Sequence, residues 1–393
     1  MHSRVRAGLL AGAALVAFAP SGAAAYASPA ASRPAVDRPL TWRVVPSRGR
    51  PGSALLGVTC VSATSCTAVG RGGSKTLVES WNGTAWSIVP SPNRHGIGQL
   101  SGISCVSASA CTAVGTSAPS PSSPQSQYRT LVESWNGTAW SIVPSPNPQA
   151  SQGYDIFSSV SCVTPAFCAA VGGRGQVSAS EPLTEIWNGH AWSAVPGPSK
   201  LDDATLESVF CVSVTACTAV GFQYQETVIE SWNGRAWSLV PSPDRASDPY
   251  LAGVSCTSAS ACTAVGAYFS DAAPAEQTLA ESGTGSAWSI VPSPNAGSAS
   301  ADNLLAGLSC ASARACAAVG SVGGSITSSV TLIEAWNGTR WSIVPSPVTR
   351  NVATLLYSVS CPSATMCMAT GVRYLSSSQD SGQTLTELGT SSG

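Results

Sequence analysis

Cysteine is the residue whose spacing carries the most chemical information in this sequence. The 14 cysteines fall into seven pairs of one form, C-x5-C: Cys60/Cys66, Cys105/Cys111, Cys162/Cys168, Cys211/Cys217, Cys256/Cys262, Cys310/Cys316 and Cys361/Cys367. A structural zinc centre takes four ligands, usually at tighter cysteine spacings. One pair per repeat supplies two ligands, and the chain has only 3 histidines, so no metal site is expected. An oxidising compartment favours disulfides, and five intervening residues suit a bridge across a β-hairpin. Each bridge would close a short loop and contribute roughly 2 kcal/mol in the chain-entropy model.

The other recurring group with chemical potential is a carboxylate. Glu79, Glu133, Glu185, Glu230, Glu281, Glu334 and Glu387 occupy equivalent places in successive repeats. Acid/base carboxylates of a glycosidase stand roughly 5–9.5 Å apart across one bond, whereas residues repeated around a ring lie far from one another. A structural hydrogen-bonding role is expected, because a buried carboxylate must find partners. His95 and His190 are distant in sequence and do not suggest a triad or a copper centre. Neither a phosphate-binding glycine loop nor a G-x-S-x-G elbow is present. No catalytic residue is assigned, and no cofactor is expected.

The elements that position these groups are short strands. Successive first cysteines are 45, 57, 49, 45, 54 and 51 residues apart, a period that belongs to propeller blades. The repeat from Leu100 to Asn147 shows four alternating or β-branched stretches: Leu100–Cys105, Cys111–Gly115, Leu131–Trp135 and Trp140–Val143. Asn136-Gly137 predicts a type I′ hairpin between the last two, and Pro144 with Pro146 ends the fourth strand. All 12 tryptophans, from Trp42 to Trp341, hold repeat positions and are expected to pack the blades. Third-strand aromatics are missing only at Ser282-Gly283 and Leu388-Gly389. The sequons at Asn82, Asn136 and Asn337 fall in the same turns.

Four strands in each of seven units make an all-β, seven-bladed β-propeller over residues 40–393. The last unit stops after a third strand at Leu385–Leu388, while Thr41–Val45 before the first unit reads as a fourth strand with no third. The N-terminal strand is therefore expected to complete the last blade and close the ring, leaving no open sheet edge.

The pattern resembles that of the kelch-type propellers. Gly115 ends a second strand, Trp135 precedes a hairpin, Trp140 follows it, and Val143–Pro146 forms a V-P-x-P exit. The resemblance implies the propeller fold and no particular activity. The sequence differs from kelch repeats in its cysteine pairs, in the five-residue separation of its two aromatics, and in carrying the second glycine of the kelch doublet, directly after the glycine that ends the second strand, only at Gly173.

Composition limits the function. Charged residues make up 10% of the 393 residues, hydrophobic ones 44%, and 19 basic against 20 acidic side chains leave a formal charge of −1. A nucleic-acid binder needs a basic stripe, so nucleic acid is not expected as a partner. Arg4 and Arg6, the apolar run Gly8–Ala19 and the small residues around Ala25 and Ala27 read as a signal peptide over residues 1–27. An Ala/Pro/Ser linker follows over 28–39. The run is too short to span a bilayer, so the expectation is a secreted, extracellular monomer without a transmembrane anchor.

Function is expected where the repeats differ. The first-to-second and third-to-fourth turns are nearly uniform, so one face of the disc should be a set of stapled hairpins. The other face carries the second-to-third loops and the blade crossovers, with longer inserts at Ser117–Arg129 and Ala267–Gln277. Tyr128, Tyr154, Tyr224, Tyr250, Tyr268 and Tyr374 fall there, accompanied by Arg129 and Asp271. Tyrosine presents an apolar body with a polar tip, and rigid scaffolds usually place function on loops. These eight residues are the candidate binding set, with a cell-envelope or extracellular glycan or a secreted protein as ligand. The competing readings are a carbohydrate-active hydrolase or lyase, using Asp155, Glu207, Glu226, Asp271 or Asp302, and an inert structural surface protein.

Overall fold

A computed structural model describes residues 39–391, apart from 94–95, 149–152, 177–178, 199–200, 202, 244–246, 270–274, 285–286, 324–327, 348–351, 377 and 379–380. The expected signal peptide, His95 and Asp271 lie outside the described residues. The described chain folds as seven antiparallel four-stranded sheets. In the second blade the strands are Ile97–Ser107, Ala110–Ala118, Arg129–Trp135 and Trp140–Ile142, from the axis outward. The inner two are longer than their apolar cores, because both continue towards the variable face.

Ring closure follows the complementary ends of the repeat array. Thr41–Val44 pairs antiparallel with Gly382–Thr390, placing Trp42 opposite Gly389. The seventh blade is thus completed by the N-terminal strand, outside Ala353–Ser363, Met366–Tyr374 and Gly382–Thr390.

All 14 cysteines form the seven expected C-x5-C disulfides, and the paired Cα atoms lie 3.9–4.1 Å apart. In the first six blades the two half-cystines face each other in register across the first hairpin: Cys60 and Cys66, Cys105 and Cys111, Cys162 and Cys168, Cys211 and Cys217, Cys256 and Cys262, and Cys310 and Cys316. In the seventh, Cys361 bridges to Cys367.

The bridges also reach into the blade packing, a depth on which the C-x5-C spacing is silent. Cys66, Cys217 and Cys262 are only 2%, 2% and 7% exposed, and each belongs to an apolar cluster. The reason is strand alternation, which turns these second-strand half-cystines towards the blade packing. Their Sγ atoms stand 3.9 Å from the carbonyls of Ser62, Ser213 and Ser258. A sulfur in a disulfide carries no proton, so these are packing contacts and not hydrogen bonds. The seven pairs therefore serve the core as well as the hairpin.

Just outside each bridge lies a tryptophan pair, with centroids 5.6–5.9 Å apart in five blades. The third-strand indole also donates to a carbonyl of the cysteine hairpin, as from Trp81 to Ala63 at 3.2 Å. In the fifth and seventh blades the outer indole lies over Gly283 or Gly389, where even a Cβ would come within 3.0 Å of the ring.

The Asn-Gly turns differ from the two-residue type I′ expectation. Trp81 pairs with Trp86, so the loop has four residues, and Gly83 alone within it takes a positive φ, +95°. Asn82 stays in the ordinary region because its Oδ1 accepts from the backbone of Thr84 and Ala85 at 3.0 and 2.9 Å. This side-chain cap replaces the second left-handed residue.

Apolar clusters lie between neighbouring blades. Val69 and Val78 of the first blade pack with Leu100, Ile103, Leu131 and Trp140 of the second. Met366, Met368 and Leu388 of the seventh pack with Leu55, Val58, Cys66 and Trp81 of the first.

Candidate functional site

Three places bring chemically capable side chains together: the ring of third-strand glutamates, the axis, and a cleft on the variable face. The glutamates are buried between blades. Four of them accept from the exit serine of the preceding blade: Ser91 to Glu133 at 2.6 Å, Ser242 to Glu281 at 2.9 Å, Ser293 to Glu334 at 2.8 Å and Ser346 to Glu387 at 3.1 Å. At the seam, Arg48 N–H donates to Glu79 at 3.0 Å. The expected structural hydrogen bonding therefore holds at five positions. Among the described residues, Glu185 and Glu230 have no hydrogen-bond partner for either oxygen. For Glu230 the reason is local: Gly197 stands where the other exits carry serine. Burial pushes Glu133, Glu230, Glu334 and Glu387 up to about 7, and burial together with nearby Asp155 takes Glu185 up to about 8.

At the axis every inner strand carries a β-bulge, between Leu55 and Gly57 in the first blade and at the equivalent place in the others. The extra residue of each bulge faces a central cavity of about 370 Å³. These residues are Leu56, Ser101, Ser158, Glu207, Ala252, Ala306 and Tyr357. Glu207 is the one carboxyl in that ring; burial pushes its pKa up, and a hydrogen bond with Ser158 opposes the shift.

The cleft lies between the fourth and fifth blades and encloses about 530 Å³. Its walls come from the ends of strands at the variable face. Phe222 lies near the end of Ala216–Gln223, Tyr224 and Gln225 form the two-residue turn to Glu226–Trp232, and Tyr250 lies in Ser247–Ser258. Phe269 ends Ala261–Phe269, and Glu276 begins Glu276–Thr284. Phe222, Tyr224 and Phe269 are 37%, 73% and 41% exposed and are the exposed aromatic side chains among the described residues. All three line this cleft. Phe222 meets Tyr250 edge-on at 6.4 Å.

The backbone of the cleft is also unusual. Asp203, Gln225 and Asp248, with φ of 59°, 92° and 42°, are the non-glycine residues with positive φ among those described, and all three line it. Such conformations cost of order 1–3 kcal/mol each and gather at functional sites. Burial, then the carboxylates of Glu276, Glu207 and Asp302, push the Tyr250 phenol up. Tyr250 thus lines the cleft within electrostatic reach of Glu207.

Of the residues singled out in the sequence, the structure brings Tyr224 and Tyr250 together in this cleft. Tyr128 is half-buried, and Arg129 Nη1 donates to the carbonyls of Ser126, Tyr128 and Gly153 at 2.9, 2.7 and 3.0 Å, tying down its loop. Tyr154 and Tyr374 are only 6% and 8% exposed. Tyr268 packs partly buried against the fifth-blade core. Tyr154, Tyr250, Tyr268 and Tyr374 lie in strands rather than loops, because the inner and second strands run further towards the variable face than their apolar alternation suggests. None of the cysteines lines the cleft; Cys217 and Cys262, from the two blades that form it, are buried in their blade cores. The sequence reading missed Phe222 and Phe269. Their signal was an aromatic at the end of a second strand, where most repeats carry small or polar residues.

The fold and the disposition of this site define a seven-bladed β-propeller with a uniform disulfide-bearing side and one aromatic cleft opposite it. No protein-family model matches the chain, and no curated protein does. Among solved structures it is similar to YCF48 bound to D1 peptide, at 12% identity and a TM-score of 0.53, covering 94% of this chain and all of that one. It is also similar to the WD40 β-propeller domain of Doa1, at 11% identity, a TM-score of 0.56 and coverage of 89% and 97%. A GH74 xyloglucanase from Xanthomonas campestris matches at 11% identity and a TM-score of 0.53, with 88% of this chain and 55% of that one covered. At these identities the likeness concerns the propeller fold; the kelch resemblance remains one of sequence pattern.

Proposed function

We propose that this protein is an exported, monomeric binding module that captures a glycan or a secreted protein on its variable face, at the cleft between the fourth and fifth blades. The observation that carries this reading is the gathering of Phe222, Tyr224 and Phe269 in one cleft. Exposed aromatics rimmed by polar groups mark interaction sites. A peptide-bound propeller of the same fold, YCF48, supports a protein segment as one class of ligand. Seven disulfides fit an oxidising compartment, in line with the signal peptide read at residues 1–27. The test is a glycan array and a panel of secreted proteins probed with oxidised residues 28–393 beside Tyr224→Ala. Selective binding lost in the variant supports the reading; binding unchanged in the variant removes the cleft from it.

Glu207 favours a second reading. A carboxyl whose pKa burial raises, set in a central cavity, is a general-acid candidate for a glycan hydrolase or lyase. Product formation from a bound glycan, abolished in Glu207→Gln, would establish it. Binding without product in both proteins would discard it.

A further inference from the structure

Aromatic surface alone does not specify a ligand, but the charges around this cleft do. Asp203, Asp248 and Glu276 line it, and no lysine or arginine does among the described residues. Asp302 adjoins it, its Oδ1 accepting from Glu276 N–H at 3.0 Å, and exposed Glu226 follows Gln225 at the start of the third strand. The surrounding sequence is biased in the same direction. Residues 200–302 contain eleven Asp and Glu against three Lys and Arg, a net of −8, whereas the whole chain is at −1. The rest of the chain therefore carries +7. Two of the eleven, Glu230 and Glu281, are buried in the interblade ring and contribute nothing to the cleft.

Carboxylates beside exposed aromatic rings, with no competing cation among the described residues of the wall, form an environment for a positive charge. The ring faces attract a cation through their quadrupoles, and the like-charged cluster relieves its own repulsion when a cation enters. A neutral glycan would stack on the rings and could donate hydroxyls to the carboxylates, but would leave their negative charge uncompensated.

We propose that the cleft is a docking site for a basic protein segment, with a lysine or arginine side chain lying against Phe222, Tyr224 or Phe269 and paired with Asp203, Asp248 or Glu276. This rests on the binding-module reading above and selects its partner. An extended segment also suits the shape of the cleft, which is open to solvent between two blades.

The test uses oxidised residues 28–393 and a random decapeptide display library. Two variants run in parallel: Tyr224→Ala, at an exposed turn, and Asp248→Asn, since asparagine tolerates a positive φ. Melting curves verify that each is folded. The expected result is roughly threefold or greater enrichment of Lys and Arg among selected peptides. Affinity of the best peptide should fall about tenfold or more in each variant, and again between roughly 50 and 500 mM NaCl, as exposed charge pairs are screened. Selection of peptides without basic enrichment, or affinity unchanged in both variants, overturns the proposal. A neutral glycan that binds in a Tyr224-dependent way while no peptide is selected overturns the basic-segment proposal and leaves the binding module standing. Failure of peptides and glycans alike removes both.

Discussion

The two faces of the propeller obey different rules. On one, every blade carries a disulfide, and five of the seven add a tryptophan pair and an asparagine-capped turn. On the other, strand ends and crossovers share no common sequence, and the cleft between the fourth and fifth blades holds exposed aromatics on strained backbone. The first face commits its cysteines, most of its tryptophans and its turn asparagines to local closure. The second leaves side chains unused by the fold, which is the condition for recognition. Repetition thus marks stability in this molecule, and departure from repetition marks the candidate site.

The harshest way to break the comparison is reduction. At roughly 2 kcal/mol for each short-loop bridge, losing all seven removes an amount comparable to the stability of a typical domain, about 5–15 kcal/mol. Reduction with dithiothreitol, without denaturant, is expected to unfold the protein at room temperature, read by the loss of near-ultraviolet circular dichroism. Retention of the native spectrum after complete thiol release would show that interblade packing suffices alone.

Single substitutions sharpen the contrast. Trp86 is fully buried, and Trp86→Ala should cost about 3–5 kcal/mol, as for large-to-small core changes. Tyr224→Ala, at an exposed turn, should stay within roughly 0.5 kcal/mol of the parent. Urea unfolding of both variants compares the faces directly.

The glutamate ring makes a pH prediction. Glu133, Glu230, Glu334 and Glu387 hold their protons up to about pH 7 in the folded protein, and Glu185 up to about pH 8, against an ordinary value of 4.5. Between these limits the folded chain binds more protons than the unfolded chain, so stability falls as pH rises. The contribution is fully present below the ordinary carboxyl value and is lost as pH climbs through the raised one. The melting temperature should be higher at about pH 5 than at about pH 8, and Glu230→Gln should flatten part of that slope. A flat or opposite dependence would mean that these carboxyls are not buried as described.

The smallest expected effect is a repair. Gly197 is the exit position without a serine, and a Cβ there would meet only Glu230 Oε1, at 3.8 Å. Gly197→Ser should supply the missing donor and add about 1 kcal/mol, measured as a shift in the urea midpoint.

Much of the architecture was legible because each blade spells it out again. The C-x5-C spacing, the tryptophan pair and the complementary ends led to the disulfides, the blade order and the closing strand. The depth of the bridges was not legible, because spacing pairs Cys66, Cys217 and Cys262 with their partners but does not say which neighbouring blade covers them. The turn type was misread because Asn82 and its equivalents satisfy the loop with a side-chain cap, which the Asn-Gly dipeptide alone does not reveal. The cleft was only half legible. Tyr224 stood out as a turn aromatic, but Phe222 and Phe269 sit on strand ends whose outward facing depends on where the strand stops. Tyr268 was chosen beside Phe269, yet alternation along the strand turns the tyrosine towards the blade core and the phenylalanine into the cleft. No motif announces that Asp203, Gln225 and Asp248 take positive φ, since these conformations arise where a crossover, a turn and an inner-strand end meet between two particular blades.

The most direct test of the account is one variant read in two ways: Phe222→Ser/Tyr224→Ala/Phe269→Ser, followed by thermal melting and by binding to the peptide and glycan libraries. The account predicts a melting temperature close to that of the parent and the loss of all selective binding. A large fall in melting temperature with binding intact would contradict it, by showing that these aromatics belong to the core and that the ligand is held elsewhere.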